Sequence, residues 1–395
     1  MRNGYPRLLA MAIAAGLLTT GCASNDLDSP LRPGNNSLQV RISVSSTADS
    51  AERDGMRLFV DKLVEYSDVP LDISLFYEED PESSLLAGEA DLILSDSAAL
   101  IPYDSDFAIY SSPFYFRDYE HMTMTLNSPT FLQLTEQDCA ENLQARQLGV
   151  LYGGTMMVIS KESPIRAVKD MQEFTLAEPN DDYTAAAFGE LFGQVMPAGD
   201  TPAETWQDDA VTAMEINSAQ LGQLLDEDME HAYLIHTAHR IEMDWLYVSE
   251  SFYQSAGEQL QAAMQEASAY TVAYVDSNRE TAFHEGYAAL QENGLRSARF
   301  VSENLRKSGK DLLTTETNFF AEIDKSRYDA VAMIIRSFCA NRSKPKPEDS
   351  NGEPSGFLFP ADGGGERKTK RLRPEAEAFE AMREVSRYST SITWR

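Results

Sequence analysis

Cysteine is the first scarcity: three in 395 residues, Cys22, Cys139 and Cys339, too few for a disulfide-built scaffold. Positive charge is the second. Thirty-three Lys and Arg stand against 63 Asp and Glu, a formal net charge of −30, and such a surface repels nucleic acid and anionic lipid while keeping a secreted chain soluble. Long apolar runs are missing after the N-terminus, so the chain is not expected to be a membrane permease itself. Fingerprints of catalysis are missing too. No Gly-x-Ser-x-Gly elbow, Walker loop or dinucleotide motif occurs in the body, and the tail's "GGGER" follows no strand. Neither an enzyme nor a bound cofactor is expected.

What is there begins with "MRNGYPRLLAMAIAAGLLTTGCASN". Arg2 and Arg7 precede an apolar run from Leu8 to Leu18 that is too short for a permanent span, so residues 1–21 read as a secretory signal. Leu17-Leu18-Thr19-Thr20-Gly21 before Cys22 resembles a bacterial lipobox, although Thr19 stands where an aliphatic residue is usual; the resemblance implies lipidation of Cys22 and a membrane anchor. Ala23 resembles the sorting signal for the outer membrane. Residues 22–36 are rich in Ser, Asp, Pro, Gly and Asn and read as a flexible tether, which puts the body in the periplasm on a lipid anchor. With Cys22 modified, Cys139 and Cys339 either pair or stay as buried thiols.

The body opens as alternating elements. "LQVRISV" alternates Leu38, Val40, Ile42 and Val44 as a strand does, and "SAERDGMRLFVDKLVEYS" spaces Met56, Phe59, Val60, Leu63 and Val64 as a helix does. "VPLDISLFY" alternates again. Asp80 caps a short helix with Pro81 at its first position, and "ADLILS" is an apolar strand. This is an α/β pattern with a mainly parallel sheet, a first lobe over 37–152. A second lobe over 153–245 draws strands from "LGVLY", "TMMVIS", "FTLAEP", "QVMPAG", "HAYLIHTAH" and "DWLYVS", with "PAETWQDDAVTAMEINSAQLGQLLDEDME" mostly helical. Residues 246–342 hold an unbroken long helix from Ser251 to Asn293 crossing both lobes, then C-terminal helices. Residues 343–395 are too polar to form a core and read as a mostly disordered tail, whose Arg367, Lys368, Lys370, Arg371 and Arg373 make the one basic patch.

Three stretches in order, "LLAGEADLILSDSAAL", "SPFYFRDYEHM" and "SKESPIRAVKDMQEFTLAEP", together with the long helix, resemble the DctP family, the extracytoplasmic solute receptors of TRAP transporters. The resemblance runs from about Leu38 to Phe338. It implies the two-lobed periplasmic solute-binding fold, a small organic solute (an organic acid in the family), delivery to TRAP-type permease subunits, and a monomer.

Strand-end positions give the candidate pocket: Ser45, Ser46 and Thr47 after the first strand, Ser95, Asp96 and Ser97 after the third, and Thr155 and Met156 in the second lobe. Helix capping is the plain alternative for each serine. Phe114, in the proline-aromatic segment beside the cleft, is either core and hinge packing or a ligand contact. The chain departs from the resemblance where the family carries arginines, with Ala177 and Met156 at those positions, and the family's adjacent Glu-Asn pair is blurred into "MEIN", where Glu215 or Asn217 is its counterpart; His239 stands where the family often has a histidine. Without guanidinium groups at Ala177 and Met156, a carboxylate solute loses its usual partner. Two further readings follow from that. The solute is uncharged or cationic, or the chain is an envelope lipoprotein scaffold or sensor that kept the fold. A metal site from His236, His239 and Glu242 requires a helix where "AYLI" indicates a strand.

Overall fold

The structure, a computed structural model, describes residues 37–178, 182–316 and 323–342. The signal, Cys22, the tether and the tail lie outside these residues. Strand β1 (Leu38–Ser45) forms where Val40, Ile42 and Val44 alternate, and all three are buried. It lies between β2 (Leu71–Glu78) and β3 (Leu92–Asp96), parallel to both. The connecting helices begin on side-chain caps. Asp49 accepts from the Glu52 amide and Glu52 from the Asp49 amide at the head of α1 (Ser50–Tyr66); Asp80 accepts from Ser83 at the head of α2 (Pro81–Leu86). Four shorter helices follow, α3 (Ser97–Leu100), α4 (Phe107–Tyr110), α5 (Tyr119–Leu126) and α6 (Pro129–Asn142).

Two long strands then dominate. Strands β4 (Ala145–Ser160) and β8 (Tyr233–Ser249) pair antiparallel along most of their lengths. The sequence pattern predicts two strands in each of these stretches, but each is one, with register shifts between Gln147 and Gly149, Tyr152 and Gly154, and Met156 and Val158. Glycines 153 and 154 interrupt the apolar pattern without ending the ladder, because a bulge keeps the flanking residues paired. Gly154 has φ +114, and the Asn217 side chain occupies the space where a Cβ would stand.

Between the long strands come β5 (Thr175–Glu178), α7 (Asp182–Gly189), β6 (Gln194–Pro197), α8 (Pro202–Gln207) and β7 (Ala213–Asn217). The stretch expected to be mostly helical therefore contains a strand. Asp208 and Asp209 end α8, and residues 213–216 are buried as the ladder between β4 and β5 requires. A 3-10 segment, Ser218–Leu224, follows.

Among the described residues the strands form one nine-stranded mixed sheet in the order β2-β1-β3-β8-β4-β7-β5-β6, with β9 (Arg296–Ala298) beside β8. Register fixes how its two ends meet. Asp96 at the end of β3 lies opposite Asp244, while Asn217 at the end of β7 lies opposite Met156, which in turn lies opposite Arg240. Both rows of carboxyl-terminal strand ends thus stop at the bend of the long strands, about four residues or 13 Å apart along β8.

Each half of the sheet carries apolar clusters. Met56, Phe59 and Leu63 of α1 belong to one core of the first half, which also takes Leu260, Met264, Val272 and Val275 from α10 (Gly257–Glu292). Phe283, Tyr287 and Leu290 of the same helix enter a core of the second half with Trp206 and Leu221. One helix is thereby shared by both halves. It is shorter than the unbroken run the sequence predicts, because α9 (Glu250–Ser255) ends at Ala256 before Gly257. Helices α11 (Ser302–Glu316) and α12 (Lys325–Arg342) close the described chain.

Candidate functional site

The first row of strand ends is held by α1. Arg53 donates to the carbonyls of Ala48 and Ser46, each at 2.8 Å, and lies 4.2 Å over the Tyr77 ring, so the loop after β1 has a fixed backbone. The Ser45 and Thr47 hydroxyls are 2.7 Å apart, while Ser46 and Thr47 are exposed. Ser95 is buried and donates to Glu82, whose pKa is raised mainly by desolvation. Asp96, half-buried, accepts from the Ala99 amide at 2.9 Å and caps α3, and the Ser97 hydroxyl accepts from the Trp245 indole at 2.7 Å. Capping is therefore part of what these residues do.

The second row is tied to the bend. Asn217 accepts from the Ala219 amide at 2.8 Å and donates to the Gly153 carbonyl at 3.0 Å; the Ser218 hydroxyl accepts from the Thr155 amide at 2.9 Å and meets the Tyr152 hydroxyl at 3.1 Å. Glu215 and His239, far apart in sequence, come together: His239 Nε2 bonds Glu215 Oε1, and Nδ1 lies 2.8 Å from the Thr237 hydroxyl. Both side chains are fully buried, so the pair offers no surface to a solute in this state. Met156 and Ala177 are likewise buried, Ala177 in the core with Trp206 and Met214.

Phe114 resolves toward packing. It is wholly buried beside Phe188 and His239, at 6.0 and 6.5 Å between ring centroids, with its ring pressed on Gly309 of α11. Its φ of 65° is left-handed, and its amide donates to the His239 carbonyl. Tyr115 and Phe116 return to the core of the first half, so this one segment enters both halves. His236 faces Phe283 and Tyr287 instead, where burial pushes its pKa down to about 4. With His239 held by Glu215, the two histidines do not converge with Glu242.

Sequence reasoning missed the charged cluster under the bend. Arg279 of α10, 3 % exposed, bonds Asp49 at 3.0 Å, Glu52 and Asp244 at 3.2 Å each, and the Tyr152 carbonyl at 2.6 Å. It joins the helix to α1, β8 and β4 together. One turn earlier, Asp276 accepts from the Tyr152 amide at 3.0 Å and from Thr123 at 3.3 Å; burial pushes its pKa up to about 7. Glu280 is pushed to about 7 as well, by burial and then by Asp276 and Glu120. The available signal was "VDSNRE", acids and a base at i, i+3 and i+4 in the middle of an otherwise core-facing helix. Arg240 was also missed. It lies on β8 level with the second row, opposite Met156, its side chain 11 % exposed and 3.1 Å from Glu242.

Two other features lie apart from the strand ends. A cavity of about 10 Å³, lined by Tyr110, Cys139, Gln147 and Tyr247 among others, has room for a water and not for a solute. Cys139 there is a buried free thiol whose pKa burial raises to about 11; the side chain of Cys339 lies outside the described residues. Among the described residues no helix is long and apolar enough to cross a membrane.

A family model for bacterial extracellular solute-binding proteins, family 7 (DctP), matches residues 72–320. No curated protein matches. Among solved structures, a TRAP periplasmic solute-binding protein from Ochrobactrum anthropi is similar at 17 % identity and a TM-score of 0.67, over 77 % of this chain and 97 % of that one. One from Desulfovibrio desulfuricans with bound sn-glycerol-3-phosphate is similar at 18 % identity and 0.61, over 79 % and 100 %. A third, from Chromohalobacter salexigens with bound D-glucuronate, is similar at 13 % and 0.60, over 75 % and 99 %. At these identities the likeness is one of fold.

Proposed function

This chain belongs to the bacterial extracellular solute-binding proteins of family 7, and from that premise we propose that it captures an organic acid at the bend and passes it to a TRAP-type membrane permease. The observation that carries the reading is that both rows of strand ends stop on the middle stretch of β4 and β8, about four residues or 13 Å apart. Open α/β sheets bind small molecules outside the carboxyl ends of their strands, where loop amides and side chains converge. Here the exposed hydroxyls of Ser46 and Thr47 and the polar ends of Asp96 and Asn217 supply groups suited to a hydroxylated solute. The similar folds crystallised with glycerol-3-phosphate and glucuronate hold anions, which supports the acid class.

Capture works by closure of the halves, which we assign to lobes near 37–152 and 153–245. The hinge is the bulged stretch Tyr152–Met156 of β4 with Ala238 of β8, a non-glycine residue at φ 45°. The first half-sheet takes the end of β8 between β3 and the start of β4, so the lobes are not contiguous in sequence. We further propose a periplasmic location with Cys22 as lipid anchor, and a monomer.

Thermal unfolding of the purified chain, freed of carried-over ligand, against carboxylates, sugar acids, amino acids, polyamines and neutral sugars tests the reading. An acid present at about a thousand times its dissociation constant should stabilise by about 4 kcal/mol, several degrees in Tm. If no compound on that panel shifts the transition, the receptor reading fails and the scaffold or sensor reading takes its place.

A further inference from the structure

We infer that Lys310 of α11 and Arg336 of α12, backed by Arg306, form a site for a tetrahedral oxyanion of the phosphate class, apart from the strand ends. It goes beyond the receptor reading and shares no residue with it. The chain reverses its sign here: from Arg296 to Arg342 there are nine Lys and Arg against six Asp and Glu, within a formal charge of −30. The segment after Phe114 gathers three of these cations. Arg306, 9 % exposed, donates to the carbonyls of Phe116 and Arg117. One turn further along α11, Lys310 is half-buried with its Nζ 5.9 Å from the centre of the Tyr115 ring. Helix α12 closes on the same two aromatics. Tyr115 donates to the Tyr328 carbonyl at 2.8 Å, and His121, whose ring is 6.3 Å from that of Phe116, meets the Ile335 carbonyl at 3.3 Å. The next residue, Arg336, is thereby set within Coulomb reach of both Tyr115 and Lys310.

No carboxylate of the described residues neutralises this pair. Neither Lys310 nor Arg336 has a hydrogen bond or an ion pair there. The nearby acids are held elsewhere: Glu303, 76 % exposed, lies 3.5 Å from Arg306, and Asp329 pairs with Lys325 at 2.9 Å. A half-buried ammonium without a partner costs desolvation energy, and two guanidinium groups of the same sign raise that cost. The Lys310 pKa is lowered accordingly, by burial first and then by Arg306, with Arg336 acting in the same direction. An anion entering between the helices removes this penalty. The donors favour a tetrahedral one, because an ammonium from α11 and a guanidinium fork from α12 approach from two helices, and a phosphoryl or sulfuryl group has oxygens to meet both. A free inorganic oxyanion and the phosphodiester of a lipid headgroup share that chemistry.

The test is the rate of acetylation of Lys310 in the full chain, read by mass spectrometry of its peptide, with Lys325 as internal reference. Sodium phosphate, sodium sulfate and phosphatidylglycerol vesicles in phosphate-free buffer are each compared with sodium chloride of equal ionic strength. An anion at about ten times its dissociation constant leaves about one site in eleven open, so labelling of Lys310 should slow about tenfold while Lys325 keeps its rate. Arg336→Gln removes an exposed side chain that makes no bond among the described residues, so its unfolding midpoint should match wild type. It should reduce the protection to about twofold or less, and Arg336→Lys, which keeps the charge, should retain most of it. Slowing by the inorganic ions assigns a free oxyanion, and slowing by vesicles alone assigns a headgroup. Labelling that none of the three slows, or that slows equally in wild type and Arg336→Gln, overturns the site. The receptor reading stands or falls separately, on the Tm shifts produced by solutes at the strand ends.

Discussion

Arg279 shows how one side chain can hold three elements. Its guanidinium lies against carboxylates from α1 and β8 and a carbonyl of β4, and the Asp244 carboxyl it touches is pushed well up, first by desolvation and then by Glu52. Removing the cation strands acids that burial already disfavours. Arg279→Met should cost about 3–5 kcal/mol at neutral pH in urea unfolding, and Asp244→Asn on top of it should recover part of that loss. Equal losses in the single and double variants would mean that packing of the side chain matters here and charge does not. The same cluster anchors Asp49, the cap just beyond Ser46 and Thr47, so the loop after β1 is positioned from the long helix as well as by Arg53.

Helix α10 is the element on which the two halves depend, and it carries its own pH response. The Asp276 carboxyl, raised by burial to about 7, lies well above the ordinary value of about 3.9. Between those pH values the folded protein keeps a proton that the unfolded chain has released. Stability from this group is therefore full below about pH 4 and lost as pH rises through about 7, to the extent of about 4 kcal/mol. Tyr152, Thr123, Arg279 and Glu280 face it, and Glu280, with Glu120 near it, shifts in the same direction. Asp276→Asn keeps an acceptor for the Tyr152 amide and removes the titration. The gap in urea midpoint between the variant and wild type should widen in the variant's favour from pH 5 to pH 8; parallel midpoints would exclude Asp276 as the source.

That response was not legible in the sequence, because the partners of Asp276 and Arg279 on other elements lie more than a hundred residues away, except Asp244 at 35. Local pattern served where neighbours in sequence settle the structure. The alternation of β1 and the Asp80-Pro81 start of α2 are of this kind, and both were read correctly. It did not serve where the sheet overrides it: Gly153 and Gly154 look like a break and are a bulge, and "AMEIN" looks helical but is a strand between β4 and β5. At the site, Ser46, Thr47 and Asp96 could be placed at strand ends from the pattern alone. Arg240 could not, since only the pairing of β4 with β8 sets it opposite Met156.

At the scale of the whole molecule the formal charge of −30 sets the background against which closure happens. Glu78 and Asp96 lie at the strand ends of the first half, Asp49 at the head of α1 after the first of them, and Asp244 and Glu242 on β8 beside them. Bringing a second acidic half toward that row costs Coulomb energy unless salt screens it. Self-repulsion of this kind acts over distances that salt shortens, from a Debye length of about 30 Å at 0.01 M to about 3 Å at 1 M. The unliganded chain should accordingly gain Tm as sodium chloride rises from about 0.01 to 1 M, and most of the gain should come at the low end, where screening of surface charge changes fastest. An equal gain from sodium perchlorate at low concentration would assign it to screening, since that salt does not strengthen apolar burial as sulfate does. A Tm that is flat in chloride and rises only in sulfate would show that repulsion does not limit this fold, and closure would then be governed by the hinge and the shared helix alone.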